Sequence, residues 1–345
     1  MTTRKPFSAA RLVCWLTVMQ IAFVVAPVNA QSTSTMQAVA ETAHGRLLGV
    51  SSQRAPSVNV FKGIPYAAPP VAQGRWQPPA PVASWTGERM ADTFGPDCMQ
   101  QPYPEGSFFY RPARLSSEDC LYLNVWTAAE PGDARPVMVW LHGGALTRGS
   151  GAIDTYDGAR LAQKDVILVT INYRLGVFGY FAHPELVAES PRFSAGNYGI
   201  LDQIQALKWV QENIAAFGGD PENVTVFGES AGAWSVNFLT ASPLANGLFH
   251  KAIAQSGARL DPRVELDRQS SAGASAAAAG SQLAEQLGAG DLRELRAIPA
   301  RDLLDRAADE GFRTDGIVDG WVIPEQPYAM FSQGRQNKVP VLVGF

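Results

Sequence analysis

Histidine and cysteine are scarce in this chain, which has four histidines and three cysteines among 345 residues. The histidines stand at 44, 142, 183 and 250, and neither they nor the cysteines have the close spacing of a zinc-ligand motif. The sequence therefore predicts no metal site, and we expect the protein to work without a metal or an organic cofactor.

Clusters of positive charge are missing as well. The chain has 28 lysines and arginines against 32 aspartates and glutamates, a net charge of −4, and the basic residues are scattered along the sequence. A protein that binds nucleic acid concentrates lysine and arginine on one face. The composition therefore argues against a nucleic-acid partner.

Long apolar runs are limited to the N-terminus. Basic residues at 4, 5 and 11 precede a mostly apolar run over 12–26, and Val28-Asn29-Ala30 follows as a small-residue cleavage site. The run is shorter than the ~20 residues of a membrane-spanning helix, so we prefer a cleaved signal peptide over residues 1–30 to a retained anchor. The sequence predicts cleavage after Ala30 and export to the periplasm or the medium, without stable membrane insertion.

Removal of that segment leaves 25 basic and 32 acidic residues, a net charge of −7, and two cysteines, Cys98 and Cys120. An even pair of cysteines in an oxidising compartment favours a disulfide, which would stabilise the fold by roughly 3 kcal/mol. Residues 31–345 could form one large domain or two ordinary ones, and the 46% hydrophobic content is ample for a sizeable core.

Apolar runs alternate with helical patterns through the rest of the chain. The runs at 121–126, 137–141, 166–171, 252–254 and 339–343 predict strands, the last of them buried, and those at 46–50 and 58–61 predict an opening hairpin. Helices are predicted at 159–164, 200–214, 301–308 and 327–331, while 271–281 is either a linker or, as we prefer, a surface helix. The alternation predicts an α/β fold with a mostly parallel sheet and helices on both faces.

The most informative motif is Gly228-Glu229-Ser230-Ala231-Gly232, which follows the apolar run 224–227 and precedes a helical pattern. G-x-S-x-G between a strand and a helix is typical of a nucleophile elbow, a tight turn that projects a serine hydroxyl toward a base and amide donors. Glycines at 228 and 232 keep side chains out of this turn. We therefore predict that Ser230 is a nucleophile and not an ordinary turn residue.

A second motif, His142-Gly143-Gly144-Ala145, directly follows the predicted strand 137–141. Attack of a serine on an ester carbonyl creates an oxyanion, which backbone amides stabilise in a water-poor site. We assign these donors to Gly144, Ala145 and Ala231, with Gly143 shaping the turn. Seen alone, the two glycines would indicate only a tight turn.

With these motifs the sequence resembles the type-B carboxylesterases and lipases, the family that includes the cholinesterases. The resemblance extends from about residue 44 to the end and implies an α/β-hydrolase fold. It also implies hydrolysis of small-molecule carboxylic esters through an acyl-enzyme on Ser230, with a Ser-Glu-His triad. The further shared motifs are Gly63-Ile64-Pro65-Tyr66, Ser117-Glu118-Asp119-Cys120-Leu121, Asn172-Tyr173-Arg174, Gly196-Asn197, Asp202-Gln203, Phe217-Gly218-Gly219-Asp220-Pro221, Gln255-Ser256-Gly257 and Asp319-Gly320-Trp321.

The resemblance also implies that Cys98 and Cys120 form the family's first disulfide, around a loop at the rim of the substrate gorge. The aromatic residues 108–110 lie in this loop and either contact substrate or pack the loop. Leu146 departs from the family, whose members often carry an aromatic residue there, so the shape of the acyl pocket is left open. Two buried structural ion pairs are implied, Arg75 with Glu118 and Arg174 with Asp202.

No residue of this chain is evident as the acid or as the histidine of the triad. The resemblance places the acid shortly after the strand 339–343 and the histidine well beyond, so both positions lie past Phe345. The four histidines are each better explained as structural or solvated. Asp319 and Glu325 precede the strand 339–343, whereas the resemblance places the triad acid after it. We therefore expect a C-terminally incomplete hydrolase domain over 31–345, a fragment with poor activity and an open apolar sheet edge.

Two alternatives to an esterase remain. One is a non-catalytic, cholinesterase-like binding module, although such relatives typically lose the nucleophile and Ser230 is present here. The other is an inactive truncation product of a longer esterase. The pattern predicts neither which ester is cleaved nor the oligomeric state, because pocket shape and not the elbow sets specificity.

Overall fold

The computed structural model of the protein describes residues 1–3 and 38–345. The cleavage site at Ala30 and nearly all of the predicted signal peptide lie outside the described residues. From Ala38 onward the chain forms one compact unit. None of the helices in these ranges combines the length and the apolar character needed to cross a bilayer.

Within residues 38–345 the chain forms twelve strands. They are β1 Ala38–Thr42, β2 Gly45–Ser51, β3 Asn59–Pro65, β4 Glu88–Met90, β5 Asp97–Cys98, β6 Ser116–Ser117, β7 Tyr122–Thr127, β8 Arg135–Leu141, β9 Ile167–Ile171, β10 Gly219–Glu229, β11 Lys251–Gln255 and β12 Val341–Gly344. The strands predicted from apolar runs all form, and the four strands β1, β4, β5 and β6 are additions that the sequence pattern did not indicate.

The same residues form nine α-helices. They are α1 Ala159–Ala162, α2 Gly176–Tyr180, α3 Pro184–Glu189, α4 Tyr198–Asn213, α5 Ala231–Ala241, α6 Ala276–Gln286, α7 Leu292–Ala297, α8 Ala300–Asp309 and α9 Pro327–Ser332. Only part of the predicted surface helix 271–281 is helical, because α6 begins after Ser275, whose side chain accepts a hydrogen bond from the amide of Ala278 at 3.2 Å. A serine in this N-cap position ends the non-helical segment that precedes it.

Ten strands form one mixed sheet in the order β1-β2-β3-β7-β9-β8-β10-β11-β12, with β4 paired to β2. Along this order the four pairs from β9 to β12 are parallel, whereas the four pairs from β1 to β9 are antiparallel. Alternate residues of β8 enter two separate apolar clusters, Val139 the main core and Trp140 a smaller one, so both faces of this strand are covered. The predicted α/β-hydrolase fold is confirmed.

The edge strand β12 corrects one prediction. The run 339–343 was expected to form a buried strand, but Val341, Leu342 and Val343 are 50%, 64% and 60% exposed. The strand pairs with β11 on one side, and within the described residues no strand pairs with its other edge. An apolar run predicts the strand itself, whereas burial depends on a covering neighbour, and here the sheet ends in an open apolar edge.

Both implied ion pairs are present and hold loops to the core. Arg75 donates two hydrogen bonds of 2.7 Å to the Glu118 carboxylate. Arg174 donates to Asp202 at 2.7 and 2.8 Å, and both of these side chains are almost fully buried. The contacts of the four residues mark them as structural.

Candidate active site

Ser230 occupies the turn between β10 and α5 with φ of +55° and ψ of −120°. A positive φ is unfavourable for a residue with a side chain and costs about 1–3 kcal/mol unless the surroundings hold it. Two hydrogen bonds do so: the Ser230 amide donates to Gln255 O at 2.9 Å, and the Trp234 amide donates to Ser230 O at 3.1 Å. The turn therefore has the strained geometry of a nucleophile elbow.

Glycine is required on both sides of the serine. A Cβ on Gly228 would lie 2.5 Å from the carbonyl carbon of Gly232, and a Cβ on Gly232 would overlap the carbonyl oxygen of Leu141. Leu141 is the last residue of β8, so the start of α5 packs directly on the end of the neighbouring strand. Both glycines are therefore steric requirements of the turn, as the motif predicts.

The glycine loop after β8 lies against this elbow. A Cβ on Gly143 would stand 2.8 Å from Glu229 O and 3.2 Å from the Cβ of Ser230, so only glycine permits the approach. Gly144 and Ala145 follow with φ of +109° and +55°. The loop thus turns sharply just beside the serine, in the place expected for oxyanion donors.

The three amides assigned as oxyanion donors are not engaged elsewhere. Within the described part of the chain, the N–H groups of Gly144, Ala145 and Ala231 donate to no backbone or side-chain acceptor. Ala231 is the first residue of α5, where helical amides have no intrahelical partner and the helix end carries partial positive charge. Such free amides can stabilise an oxyanion without reorganising.

A cavity of about 540 Å³ opens over these residues. Ser230, Gly143, Gly144 and Ala145 form part of its wall, while Ala231 lies fully buried behind them. The volume is in the range of sites that hold small organic molecules. The structure therefore brings the predicted nucleophile and loop residues together at one cavity.

The loop closed by the Cys98–Cys120 disulfide forms another wall. Phe109 of this loop contributes to the lining. The loop is fastened by Gln100, whose side-chain amide donates to Gly149 O at 2.8 Å and whose oxygen accepts from Gly149 N at 2.8 Å. This pair of bonds fixes the disulfide loop next to the turn that follows the oxyanion residues.

His142 lies beneath the site as a structural group. It is buried, its Nδ1–H donates to Gly143 O at 2.9 Å, and its ring stacks on Tyr173 with centroids 4.3 Å apart. Burial lowers the pKa of this imidazole to about 4, partly offset by the bond to Gly143. A neutral ring held in this way supports the glycine loop and is not placed as a base for Ser230.

The other three histidines have structural contacts of their own. His44 lies 3.6 Å from a carboxylate oxygen of Glu212, and His183 caps α3 by accepting from Glu185 N at 3.3 Å. His250 accepts from Val224 N at 3.1 Å at the start of the parallel strands. No hydrogen bond joins a histidine to Ser230 among the described residues.

Asp319, Glu325 and Leu146 also take structural places. Asp319 is buried and accepts from Ser194 Oγ at 2.5 Å and from Ile323 N at 2.8 Å, while Glu325 pairs with Arg335 at the surface. Leu146, where the family often has an aromatic residue, packs fully buried in the main core.

Charged side chains of the cavity were missed by the sequence reasoning. Apart from Glu229 of the elbow, their positions belong to no motif, because they come from separate loops, from the strand β5 and from the helix α8, and only the fold gathers them. Among residues 1–3 and 38–345 no group of three metal-ligating side chains could hold an ion. The charged lining residues are Asp97, Arg111, Arg114, Arg148, Glu229 and Arg301.

Comparison with known proteins shows that this chain is similar in sequence to esterases. A sequence model of the carboxylesterase family matches residues 36–345. The chain is 43% identical over 320 residues to the fumonisin B1 esterase of Sphingopyxis macrogoltabida and 41% identical over 319 residues to the para-nitrobenzyl esterase of Bacillus subtilis (strain 168). These alignments cover 92% and 89% of this chain.

The fold comparison agrees. A crystal structure of the Geobacillus stearothermophilus carboxylesterase at pH 6.8 superposes with a TM-score of 0.76 at 43% identity, over 89% of this chain and 62% of that one. The chain spans 57% of the length of the Sphingopyxis esterase and 62% of the Bacillus esterase. The relatives are therefore considerably longer than this chain.

Proposed function

The chain belongs to the carboxylesterase family, and from this membership we propose that the protein hydrolyses small-molecule carboxylic esters through an acyl-enzyme on Ser230. The observation that carries the proposal is the contact between the strained elbow and a glycine loop with free amides. The hydroxyl oxygen of Ser230 attacks the ester carbonyl, and the amides of Gly144, Ala145 and Ala231 bind the oxyanion. The alcohol leaves, and water then releases the acid and restores the serine.

We propose that none of the four histidines of this chain acts as the base in this reaction. His142 is buried and neutral. The other three histidines make structural contacts and no hydrogen bond to Ser230 among the described residues. In subtilisin, loss of the catalytic histidine alone lowers turnover by about a millionfold. We therefore expect the 345-residue chain to hydrolyse esters slowly.

Intact mass spectrometry with an activated aryl ester such as 4-nitrophenyl acetate tests the nucleophile. We expect one acetyl group on Ser230 of the purified chain, because acylation by an activated ester depends least on the missing base. Ser230→Ala should abolish the adduct, while Ser271→Ala, in an exposed segment, should leave it unchanged. Equal labelling of Ser230→Ala and the parent chain would contradict the assignment of the nucleophile.

Turnover of the same ester tests the proposal about the base. The purified chain should release 4-nitrophenol far more slowly than the para-nitrobenzyl esterase of Bacillus subtilis does. Ser230-dependent turnover at a rate similar to that of the relative would mean that the chain already has a working base. In that case the proposal that the triad is incomplete here would be wrong.

Export is proposed from the signal-peptide pattern at residues 1–30. The periplasm and the medium are oxidising, which suits the Cys98–Cys120 disulfide. N-terminal sequencing of the protein from a bacterial periplasm or culture medium should begin at Gln31. Recovery of the chain in the cytoplasm with Met1 retained would contradict this proposal.

A further inference from the structure

The cavity above Ser230 is positively charged although the chain as a whole is negative. Its lining holds two more cationic than anionic side chains, whereas the complete chain has a net charge of −4. The four guanidinium groups belong to Arg111, Arg114, Arg148 and Arg301, and the two carboxylates to Asp97 and Glu229.

Three of these arginines are available for a ligand. Arg114 pairs with Asp97 at 3.1 Å, but among the described residues no carboxylate lies within salt-bridge distance of Arg111, Arg148 or Arg301. Their contacts are with neutral groups only, such as the carbonyl oxygen of Tyr110 and the hydroxyl of Ser116, and an additional anion would not have to displace an existing ion pair. The relevant bonds are Arg111 to Phe108 O and Tyr110 O at 3.4 and 2.7 Å, Arg148 to Gln101 O at 3.0 Å and Arg301 to Ser116 Oγ at 3.2 Å.

Arg148 is held at the wall of the cavity that Ser230 also lines. Its amide donates to Gly144 O at 3.0 Å, so it belongs to the turn that also carries the oxyanion donors. The Nε–H bond to Gln101 and the position of the guanidinium 5.2 Å from the centre of the Tyr103 ring hold the side chain over the disulfide loop. The charge is therefore preorganised at the cavity wall and does not have to be ordered on binding.

We propose that the cavity selects esters that carry, in addition to the ester group, a free and negatively charged carboxylate. Arg148 binds this carboxylate together with Arg111 and Arg301. A guanidinium group presents paired N–H donors that match the two oxygens of a carboxylate, and the partly enclosed site weakens solvent screening. The reaction of such an ester rests on the proposed function of Ser230, but the preference in binding does not. A neutral ester of the same length fills the same volume without meeting these charges.

Binding of two unreactive amides tests the preference without any turnover. The monoanilide of adipic acid and the anilide of hexanoic acid have acyl chains of equal length and differ in the terminal carboxylate. In calorimetric titrations of the full chain at low salt we expect the acid to bind about tenfold more tightly, as for a hydrogen bond to a charged group, and to lose this advantage at high salt. Equal affinities for the two anilides would overturn the inference.

Arginine variants locate the effect. Arg148→Gln and Arg301→Gln should each weaken binding of the adipic monoanilide severalfold, and the second variant changes an exposed residue. Arg160→Gln removes one positive charge from an exposed position outside the cavity and should leave the affinity unchanged. An equal loss in Arg160→Gln and the cavity variants would show a general effect of net charge and overturn the proposed site.

Aryl esters of the same two acids separate this inference from the function of Ser230. We expect a higher kcat/KM for 4-nitrophenyl hydrogen adipate than for 4-nitrophenyl hexanoate, with both reactions abolished in Ser230→Ala. Hydrolysis that persists in Ser230→Ala would contradict the proposed function, whereas the anilide affinities would still decide the carboxylate preference. The two proposals therefore fail through different measurements.

Discussion

Replacement of His142 by glutamine should remove a component of the pH dependence of stability. Burial holds the pKa of this histidine at about 4 in the folded protein, while an unfolded chain has a histidine pKa of about 6.5. Between these two pKa values the unfolded state binds a proton that the folded state does not. The free energy of unfolding therefore falls as the pH is lowered from about 6.5 to about 4, by about 3 kcal/mol in total.

Urea denaturation at pH 7.5 and pH 4.5 measures this loss. The parent chain should lose about 2–3 kcal/mol more between the two pH values than His142→Gln, because glutamine has no proton to bind and can still donate to the carbonyl of Gly143. His250→Gln, which also removes one histidine but from a half-buried position, is the control and should keep the extra loss. An identical pH dependence for the parent and His142→Gln would refute the reasoning, as would an NMR titration of His142 with a pKa near 6.5.

Three further predictions concern the frame of the site. Gly232→Ala should slow acylation of Ser230 by about a hundredfold, as measured by intact mass spectrometry with 4-nitrophenyl acetate. The added methyl group overlaps Leu141 O and displaces the elbow by a fraction of an ångström or more. Acylation at the rate of the parent chain would contradict this prediction. Asp202→Asn should lower the free energy of unfolding by about 3–5 kcal/mol in urea, since it leaves the buried Arg174 guanidinium without its counter-charge, and a loss below about 1 kcal/mol would argue against a buried pair. Cys120→Ser should cost about 3 kcal/mol by releasing a loop of 22 residues, and an equal stability of the parent with and without reductant would show that the disulfide does not form.

The elbow and the glycine loop could be predicted because their requirements are local. Gly228 and Gly232 are needed wherever a serine turn packs against a neighbouring strand, and the structure places both within contact of backbone atoms. The same holds for the long helix α4, in which twelve of the 16 residues are buried and only a narrow stripe is left partly or fully exposed. Such features depend on residues close in sequence, so a pattern of a few letters suffices to indicate them.

Local periodicity predicts neither the exposed side chains of β12 nor the charge of the cavity, and the open sheet edge is an expectation that only the family resemblance supplies. Val341 to Val343 form an apolar run like that of a buried strand, yet their environment depends on what covers the sheet edge. The arginines at 111, 148 and 301 stand far apart in the sequence, and they line one cavity only because the disulfide loop, the glycine loop and α8 converge on it. Both properties arise from contacts between distant segments, which no local periodicity encodes.

The residues proposed for the reaction and the residues proposed for selectivity are held in place by different parts of the fold. The nucleophile and its oxyanion donors follow the paired strands β10 and β8, whose register aligns Gly228 with Leu141, so their separation is fixed by the sheet itself. Arg111 and Arg148 lie on loops, and Arg301 lies near the start of α8; their side chains are held by contacts with neighbouring loops, such as those of Arg148 with Gln101 and Tyr103. Loops tolerate substitution far better than the ends of buried parallel strands do. We therefore expect changes at the arginines to alter which ester binds, and changes at the strand ends to alter whether any ester reacts.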